Sequence, residues 1–251
     1  MKKTALITGA TSGIGRASAK KMISLGYNII ITGRRNELLQ SLKSEFSTYN
    51  NVIYTLNFDI RNHAETIKAY ESLPLEWKNI DVLINNAGLA AGADPIDKGD
   101  WNDWERMIDT NVKGLLKMSQ LIIPQMIERK KGHIINIGSI AGHEVYSNGN
   151  VYCASKHAVN AITKGMRIDL LQYGIKVSSI SPGMCETEFS IVRYHGDKEK
   201  ADNVYKGITP LSAEDVAEAV EFLVTRPPHV NVNDIIIVPA NQASAVYVYR
   251  E

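Results

Sequence analysis

Thr8-Gly9-Ala10-Thr11-Ser12-Gly13-Ile14-Gly15 is the stretch of sequence that decides the fold. It ends a short apolar run and precedes a helical pattern that stops near Gly26. Glycine permits a sharp turn and a close approach to the backbone, and the first N–H groups of the following helix attract phosphate. The spacing G-x-x-x-G-x-G differs from the commoner G-x-G-x-x-G. The strand, turn and helix together predict a nucleotide site; a tight turn without a ligand is the alternative.

Short apolar runs alternate with longer helical patterns along the whole chain. Most runs are rich in Ile and Val at successive positions, as strands buried on both faces are. This alternation predicts a doubly wound α/β fold, a parallel seven-stranded sheet with helices on both faces. We expect one domain over residues 1–251, because no repeat or linker interrupts the pattern. The predicted strands are Ala5–Thr8, Asn28–Thr32, Val52–Phe58, Val82–Asn85, His133–Gly138, Lys176–Ile180 and Asp234–Val238.

Three predicted helices carry recognisable end signals. Asn36 is the predicted N-cap of the second helix. A longer pattern runs from Trp101 towards Arg129, and Pro124 is expected to kink or end it. A third helix spans roughly Val151–Gln172, and Gly174 fits its C-terminal stop. Ligands bind beyond the carboxyl ends of the strands in such folds, so we expect the chemistry just after each apolar run.

Composition argues against several classes of protein. The 251 residues carry a formal net charge of +1, which gives no electrostatic case for binding nucleic acid or anionic membranes. No apolar stretch approaches the length of a membrane span, and the first apolar run is too short for a secretory signal. Cys153 and Cys185 make no disulfide framework and lack the spacing of metal ligands. We therefore expect a soluble, cytoplasmic protein.

The residues after the second and third runs bear on the choice of nucleotide. A carboxylate after the second run would bind the 2′-hydroxyl of NAD, but Arg34 and Arg35 stand there instead. Guanidinium groups match phosphate geometry, so the sequence predicts NADP; two solvated arginines are the alternative. Ser12 in the glycine turn is not a second basic group. Asp59, after the third run, fits equally an acceptor for the adenine amino group and a cap for the helix starting near Asn62.

A tyrosine and a lysine one helical turn apart are the candidate reacting groups. Tyr152 and Lys156 lie at i and i+4, and therefore share a helix face. Free tyrosine has a pKa of about 10, too high for an efficient base at neutral pH, and a nearby ammonium is expected to lower it. Ser139, which follows the fifth run, is placed to hydrogen-bond the same substrate oxygen. A surface Tyr and Lys with a helix-capping Ser are the alternative.

These motifs occur in the order and with the intervals of a known family. They are TGATSGIG at Thr8–Gly15, NNAG at Asn85–Gly88, Asn111, Ser139, Y-x-x-x-K at Tyr152–Lys156, and Pro182-Gly183. Together they resemble the short-chain dehydrogenase/reductase family over nearly the whole chain. The resemblance implies a Rossmann fold and an NADP-dependent oxidoreductase acting on CH–OH donors.

The resemblance also implies a role for each matched position. Tyr152 would be the general acid/base, and Lys156 would hold the nicotinamide ribose and lower the tyrosine pKa. Ser139 would orient the substrate oxygen, and Asn111 would anchor a water that connects Lys156 to solvent. No catalytic metal is expected. The implied cofactor contacts are Gly9, Thr11, Ser12, Gly13, Ile14, Gly15, Arg34, Arg35, Asp59, Ile60, Asn86, Ala87, Gly88, Tyr152, Lys156, Pro182, Gly183 and Thr187.

Several longer stretches resemble one group in this family, the 3-hydroxy acid dehydrogenases, which includes L-allo-threonine dehydrogenase and malonic semialdehyde reductase. They include LPxEWxxIDxLINNAGLA at Leu73–Ala90, WERMIDTNVKGL at Trp104–Leu115 and ETEFSxVR at Glu186–Arg193. The group oxidises 3-hydroxy acids and β-hydroxy amino acids and reduces the matching semialdehydes. A lid is expected around residues 183–208, and its Arg193 is a candidate partner for the substrate carboxylate. A local bond from Arg193, for example to Glu186 or Glu188, that has nothing to do with substrate is the alternative.

Neighbouring residues and partners complete these expectations. His143, Glu144, Val145 and Tyr146 are candidates to line the pocket, whereas His195 and His229 have no assigned role. The resemblance implies a homotetramer, and the apolar residues 246–249 are a candidate surface for a partner subunit. The alternatives are a reductase of the same fold for a sugar, a steroid or a 3-oxoacyl thioester, and a non-catalytic NADP-binding sensor.

Overall fold

Seven parallel strands form one sheet in the computed structural model, which describes residues 2–251. The strands are β1 (Thr4–Ile7), β2 (Asn28–Gly33), β3 (Ile53–Asn57), β4 (Val82–Asn85), β5 (Gly132–Ile137), β6 (Ile175–Pro182) and β7 (Asp234–Ile237). Their order across the sheet is β3-β2-β1-β4-β5-β6-β7. The chain thus runs outward from β1 to β3, returns beside β1 at β4 and continues to the other edge. A ligand crevice opens where the direction of winding reverses, between β1 and β4.

Helices cover both faces of the sheet. They are α1 (Gly13–Ser24), α2 (Asn36–Glu45), α3 (His63–Glu71), α4 (Trp101–Ile108), α5 (Leu115–Arg129), α6 (Asn150–Leu170), α7 (Phe189–Arg193), α8 (Lys198–Asn203) and α9 (Ala213–Val224). A π-helical segment, Asp109–Gly114, joins α4 to α5. Single 3₁₀ turns occupy Phe46–Thr48, Leu75–Trp77, Ile140–Gly142 and Leu171–Tyr173.

The strands are apolar on both faces because each face of the sheet packs against helices. One face contacts α1 and α9 through side chains such as Met22 and Val216. The other contacts α5 through Met118 and Ile122. Full burial of such a side chain stabilises the fold by about 1.5–3 kcal/mol. This two-sided core confirms the predicted fold class and holds the carboxyl ends of the strands at one rim.

Two helices differ from the predictions, and one of the two alternatives for Pro124 is excluded. Arg35, not Asn36, occupies the N-cap of α2, and Asn36 is the first helical residue. The long pattern from Trp101 is interrupted at Asp109–Gly114, where the helix widens to π geometry. Pro124 does not end α5, which continues to Arg129. The buried neighbours Ile122 and Met126 pack against the sheet on either side of that proline, and this packing holds the helix together.

Candidate active site

The glycine turn between β1 and α1 leaves room for a ligand at a helix N-terminus. Gly9 and Gly13 adopt φ of 64° and 49°, in the left-handed region that favours glycine. A Cβ on Gly15 would overlap the carbonyl of Gly9 and the side chain of Asn86. Ser12 holds the N-cap position, and no side chain of the described residues caps α1. The first N–H groups of α1 are therefore free to bind an anion.

The loop after β4 is fastened to this turn. The Asn86 amide nitrogen donates to the carbonyls of Thr8 at 2.9 Å and Gly9 at 3.0 Å. The Thr8 hydroxyl in turn accepts from the backbone N–H groups of Asn86 and Ala87, both at 3.0 Å. The turn and the NNAG loop consequently form one rigid wall at the switch point of the sheet.

The two arginines after β2 lie beside this wall. Arg35 donates to the hydroxyls of Thr11 at 3.1 Å and Ser12 at 3.0 Å. Its guanidinium also pairs with the carboxylate of Glu188 at 2.9 Å. The guanidinium of Arg34 lies 3.8 Å from the Asp59 carboxylate. A concentration of positive charge therefore stands where the ribose of a dinucleotide would lie in such a fold.

Asp59, after β3, pairs with an arginine and does not cap a helix. Its carboxylate accepts from the Arg61 side chain, with one bond of 2.6 Å. Burial acts to raise the pKa of Asp59, but the bonds and charge of Arg61 outweigh it and lower that pKa. Asn62 is the residue that caps α3, by accepting from the N–H groups of Ala64 and Glu65. The capping alternative for Asp59 is therefore wrong.

Tyr152 and Lys156 lie on one buried face of α6, as their spacing predicts. The Lys156 Nζ is 6.0 Å from the centroid of the Tyr152 ring and donates to the Ile137 carbonyl at 3.0 Å. Burial lowers the pKa of Lys156 to about 8. The Ser139 hydroxyl accepts from the Ala141 N–H at 3.1 Å and faces the Pro182 carbonyl at 3.5 Å.

The pKa of Tyr152 departs from the sequence-based expectation. Burial is the largest influence and raises this pKa, and the neighbouring Tyr146 raises it further. Ser139 and the guanidinium of Arg193 act in the opposite direction without cancelling the effect of burial. The prediction of a lowered pKa is therefore wrong for the polypeptide by itself, because desolvation of the phenolate outweighs the nearby positive charges.

Asn111 lies behind the reacting groups, in the π-helical segment. Its side-chain amide donates to the Leu89 carbonyl and accepts from the Leu89 N–H, both at 2.8 Å. It also donates to the Ser155 hydroxyl at 3.0 Å. π-Helical turns often mark functional positions, and this one turns a buried amide towards the loop after β4. Asn111 thus fixes the distance between that loop and α6.

Arg193 points from α7 towards the tyrosines, not towards the lid carboxylates. It donates to the Tyr146 hydroxyl at 2.9 Å and to the Gly92 carbonyl at 3.3 Å. Its guanidinium carbon is 6.0 Å from the centroid of the Tyr152 ring. Neither suggested glutamate is its partner, since Glu188 pairs with Arg35; Arg193 bonds locally to Tyr146 and Gly92 instead.

One cavity of about 690 Å³ joins these groups. It is lined by every residue predicted to contact coenzyme, substrate or the transferred proton except Gly15, which packs behind the turn, and Asn111. Across the rim, the lining follows the strand order from Asp59 beyond β3 to Ser139 beyond β5 and Gly183 beyond β6. The adenine and substrate ends of the proposed site therefore lie on opposite halves of the sheet.

The other residues singled out in the sequence differ in whether they border the cavity. Tyr146 lines the cavity, but Glu144 and Val145 do not, and His143 bonds the Ser181 hydroxyl at 3.1 Å instead. His195 pairs with Asp103 at 2.9 Å. Cys153 is buried and Cys185 borders the cavity, both as free thiols. Within residues 2–251, no cluster of His, Cys, Asp or Glu has the makings of a metal site, and none of the helices there is long and apolar enough to cross a membrane.

The sequence pattern that describes the short chain dehydrogenases matches residues 3–197, which include both the glycine turn and the Tyr152–Lys156 pair. The chain belongs to the short chain dehydrogenase family. Within this family it is 43% identical over 252 residues to a serine 3-dehydrogenase of Rhizobium radiobacter, covering 100% of both chains. It is 47% identical to an NADP-dependent 3-hydroxy acid dehydrogenase of Salmonella typhi, covering 96% of each chain.

A short chain dehydrogenase of known structure has the same fold and length. It is the closed form of a serine dehydrogenase complexed with NADP⁺, with a TM-score of 0.93 and 45% identity. The alignment covers 99% of this chain and 100% of that one. The serine dehydrogenase of Escherichia coli aligns with a TM-score of 0.83 and 42% identity, over 96% and 99% of the two chains.

Sequence reasoning missed two parts of this dehydrogenase site. Gln242 is buried, and its side chain accepts from the Met184 N–H at 2.8 Å, directly after Pro182-Gly183. Asn85 donates to Asn136 at 2.9 Å within the sheet. An uncharged amide in an apolar run is the available signal for Asn85, because a buried amide needs a partner. Nothing in the sequence pairs Gln242 with residue 184.

Proposed function

We propose that this short chain dehydrogenase oxidises small 3-hydroxy acids or β-hydroxy amino acids with NADP, and reduces the corresponding semialdehydes or ketones. The observation that carries the proposal is the single cavity shared by the glycine turn, Arg35, Ser139, Tyr152 and Arg193. The cavity thus contains an anion site suited to a coenzyme, an acid/base group in Tyr152, and a cation in Arg193 suited to an acidic substrate. Relatives named for serine and 3-hydroxy acid dehydrogenation support the substrate class.

The residues at the turn fit NADP. The free N–H groups of α1 are suited to the pyrophosphate, and Thr187 lies against Gly13, where it would cover that group. Arg34 and Arg35 are suited to the 2′-phosphate, while Asp59 and Ile60 would border the adenine. When bound, NADP accepts or supplies the hydride. Asn86, Ala87 and Gly88, with Lys156 and Pro182-Gly183, would complete its site.

The chain's own residues handle the proton. In the reduction, the Tyr152 phenol donates its proton to the substrate carbonyl oxygen, and the raised pKa of Tyr152 keeps that proton available at neutral pH. In the oxidation, the Tyr152 phenolate takes the proton of the substrate hydroxyl. Ser139 orients the substrate oxygen, and Lys156 holds the ribose hydroxyls. Asn111 holds the water through which Lys156 exchanges protons with solvent.

Arg193 supplies the recognition of the acid. Its guanidinium is largely enclosed between Tyr146 and Tyr152, where a charge-assisted bond to a carboxylate is stronger than in water. Residues 183–208, with α7 and α8, act as the lid that brings Arg193 over the substrate. The substrate carboxylate would then bind Arg193 while the substrate oxygen lies at Ser139 and Tyr152.

We propose a homotetramer in the cytoplasm, formed in part by α5 and α6. Both helices expose large apolar side chains, such as Leu116 and Ile168, and a subunit interface would cover them.

The test is a spectrophotometric screen at 340 nm. NADP and NAD are each offered with serine, the threonine isomers, 3-hydroxypropionate and 3-hydroxyisobutyrate. We expect turnover with NADP and at least one of these acids, and loss of at least a hundredfold in kcat for Tyr152→Phe with coenzyme binding retained. Binding of NADPH by the wild type without turnover of any hydroxy acid or carbonyl compound would refute the proposal and favour a sensor.

A further inference from the structure

Residues 239–251 fold back over the cavity as a hairpin, named here the terminal hairpin. The Tyr249 N–H donates to the Asn241 carbonyl at 2.9 Å, and the Ala243 N–H donates to the Tyr247 carbonyl at 3.0 Å. The Ser244 hydroxyl closes the turn by accepting from the N–H of Tyr247 at 3.0 Å. These residues follow β7, at the edge of the sheet opposite the adenine end.

Hydrogen bonds at both ends of the return segment hold the terminal hairpin in place. At one end, the Ala245 N–H donates to the carboxylate of Glu144, in the loop that follows Ser139, at 2.8 Å. At the other end, Arg250 donates to the Val204 carbonyl, just after α8, at 3.1 Å. The Glu251 N–H donates to the Gly207 carbonyl at 3.0 Å. The hairpin therefore bridges the loop behind the reacting serine and the far end of the lid.

The return segment of the hairpin presents several side chains to the cavity. Val246, Val248 and Arg250 line it, together with Ala245 in the turn, whereas Tyr247 and Tyr249 do not and are exposed. Val248 lies in the antiparallel bridge to Gln242. The part of the wall nearest the Glu144 loop is consequently apolar and formed by branched side chains.

We infer that Val246 and Val248 set the largest substrate that this enzyme accepts, a selectivity that rests on the proposed function for its substrate class. The hairpin lies on the Ser139 side of the cavity, because Gln242 fixes it to Met184, immediately beyond Pro182-Gly183. Val246 and Val248 line the same cavity as Ser139 and Tyr152, so a substrate whose oxygen is bound at Ser139 and Tyr152 would extend its distal carbons towards the two valines. Short chains fit in front of the two valines, and longer chains collide with them.

The test compares residues of the hairpin that line the cavity with residues of the hairpin that do not. The variants Val246→Ala and Val246→Ala/Val248→Ala enlarge the cavity in front of the wall, and Val248→Phe narrows the cavity. Tyr247→Ala/Tyr249→Ala is the matched control. Val246 is 68% exposed, so its truncation leaves folding intact. The substrates are two series from three to six carbons, the 3-hydroxy acids with NADP and the unbranched aldehydes with NADPH.

The readout is kcat/KM for the six-carbon substrate divided by kcat/KM for the three-carbon substrate. We expect the double alanine variant to raise this ratio about tenfold, the effect of a methylene or more of added space. Val246→Ala should raise it less, Val248→Phe should lower it, and the tyrosine control should leave it unchanged. The Kd of NADPH should stay within about twofold of wild type throughout, since none of the substituted residues is among the proposed coenzyme contacts.

Two outcomes overturn the inference. In the first, the ratio is the same in all valine variants and the wild type. In the second, the tyrosine control moves it as much as the double alanine variant. If the aldehyde ratio shifts as expected while no hydroxy acid is turned over, the selectivity wall stands and the proposed substrate class fails.

Discussion

Arg193 serves two purposes at the scale of the single residue. It opposes the rise in the pKa of Tyr152 that burial causes, and it is the proposed partner of the substrate carboxylate. Replacement by alanine should raise KM for a 3-hydroxy acid about 10- to 100-fold, the value of a charge-assisted hydrogen bond. KM for an uncharged alcohol of the same length should change little.

The pH profile gives a second readout for Arg193→Ala. Oxidation needs the phenolate of Tyr152, and removal of the guanidinium raises the pKa of that group further. The rise in kcat/KM for oxidation with pH should therefore move to higher pH. Arg193→Lys, which keeps the charge, should restore much of the profile. An equal, small rise in KM for the acid and the alcohol would remove Arg193 from substrate recognition.

Glu188 joins the lid to the residue proposed to select NADP. Its carboxylate pairs with Arg35 at 2.9 Å, and both side chains are about half exposed. A 2′-phosphate must compete with this carboxylate for the guanidinium. Glu188→Gln should therefore tighten NADP binding about two- to fivefold, the value of an exposed pair, and leave NAD binding unchanged.

Coenzyme titrations followed by NADPH and NADH fluorescence provide the measurement for Glu188→Gln. Glu186→Gln is the matched control, because Glu186 lies in the same lid and forms no ion pair with any residue in the range 2–251. Equal tightening of NADPH and NADH binding, or weaker NADPH binding, would contradict a competition for Arg35.

Polar contacts inside the sheet connect the elements that carry the site. Asn136 of β5 accepts from Asn85 of β4 at 2.9 Å and donates to the Thr163 hydroxyl of α6 at 2.9 Å. The same Asn85 donates to the Ser119 hydroxyl of α5 at 3.0 Å. Buried hydrogen bonds of this kind fix the register of the elements they join. They hold α6, and with it Tyr152, at a set depth against the sheet.

We expect His133 of β5 to make the folded state less stable at acidic pH. Burial, with the charge of Lys176, lowers its pKa from 6.5 to about 3. The unfolded chain binds a proton on this histidine below about pH 6.5, whereas the folded chain does not, so its contribution to stability falls as the pH drops from 6.5 towards 3. At pH 5 the loss relative to neutral pH is about 2 kcal/mol.

Urea unfolding at pH 7.5 and pH 5 checks this prediction. The free energy of unfolding of His133→Asn should fall by about 2 kcal/mol less between the two pH values than that of the wild type. His229→Asn, at an exposed position, should behave as the wild type does. The same acid-induced loss in His133→Asn and the wild type would assign the sensitivity to the buried carboxylates instead.

At the scale of the whole molecule, the exposed apolar side chains of the site-bearing helices point to assembly. Ile168 and Leu171, at the end of α6, are each 75% exposed. If α6 packs against a second subunit, Ile168→Glu/Leu171→Glu should reduce the mass measured by light scattering after size-exclusion chromatography from a tetramer to a smaller species.

Leu75→Glu is the control for this prediction, because Leu75 is 81% exposed but follows α3 rather than α6. It should leave the mass unchanged. A monomeric wild type at micromolar concentration, or a tetramer that both variants leave intact, would contradict the assembly through α6.

The sequence by itself determined the fold and the candidate reacting groups. Alternation of apolar runs with helical patterns predicts a parallel sheet, because periods of 2.0 and 3.6 residues are local properties of the backbone. The glycine turn is likewise a local feature. The spacing of Tyr152 and Lys156 is local too, so the sequence predicts without tertiary information that they share one helix face. The strand boundaries are accordingly reproduced within about two residues.

The tertiary structure alone decided which distant residues meet and how strongly burial acts. Arg193 reaches Tyr146, Glu188 reaches Arg35, and the terminal hairpin reaches the Glu144 loop across long separations in sequence. No local period encodes such contacts, since they depend on how loops of different length fold over one rim. The pKa of Tyr152 rises for the same reason: desolvation is set by the whole enclosing structure and not by a neighbour one turn away.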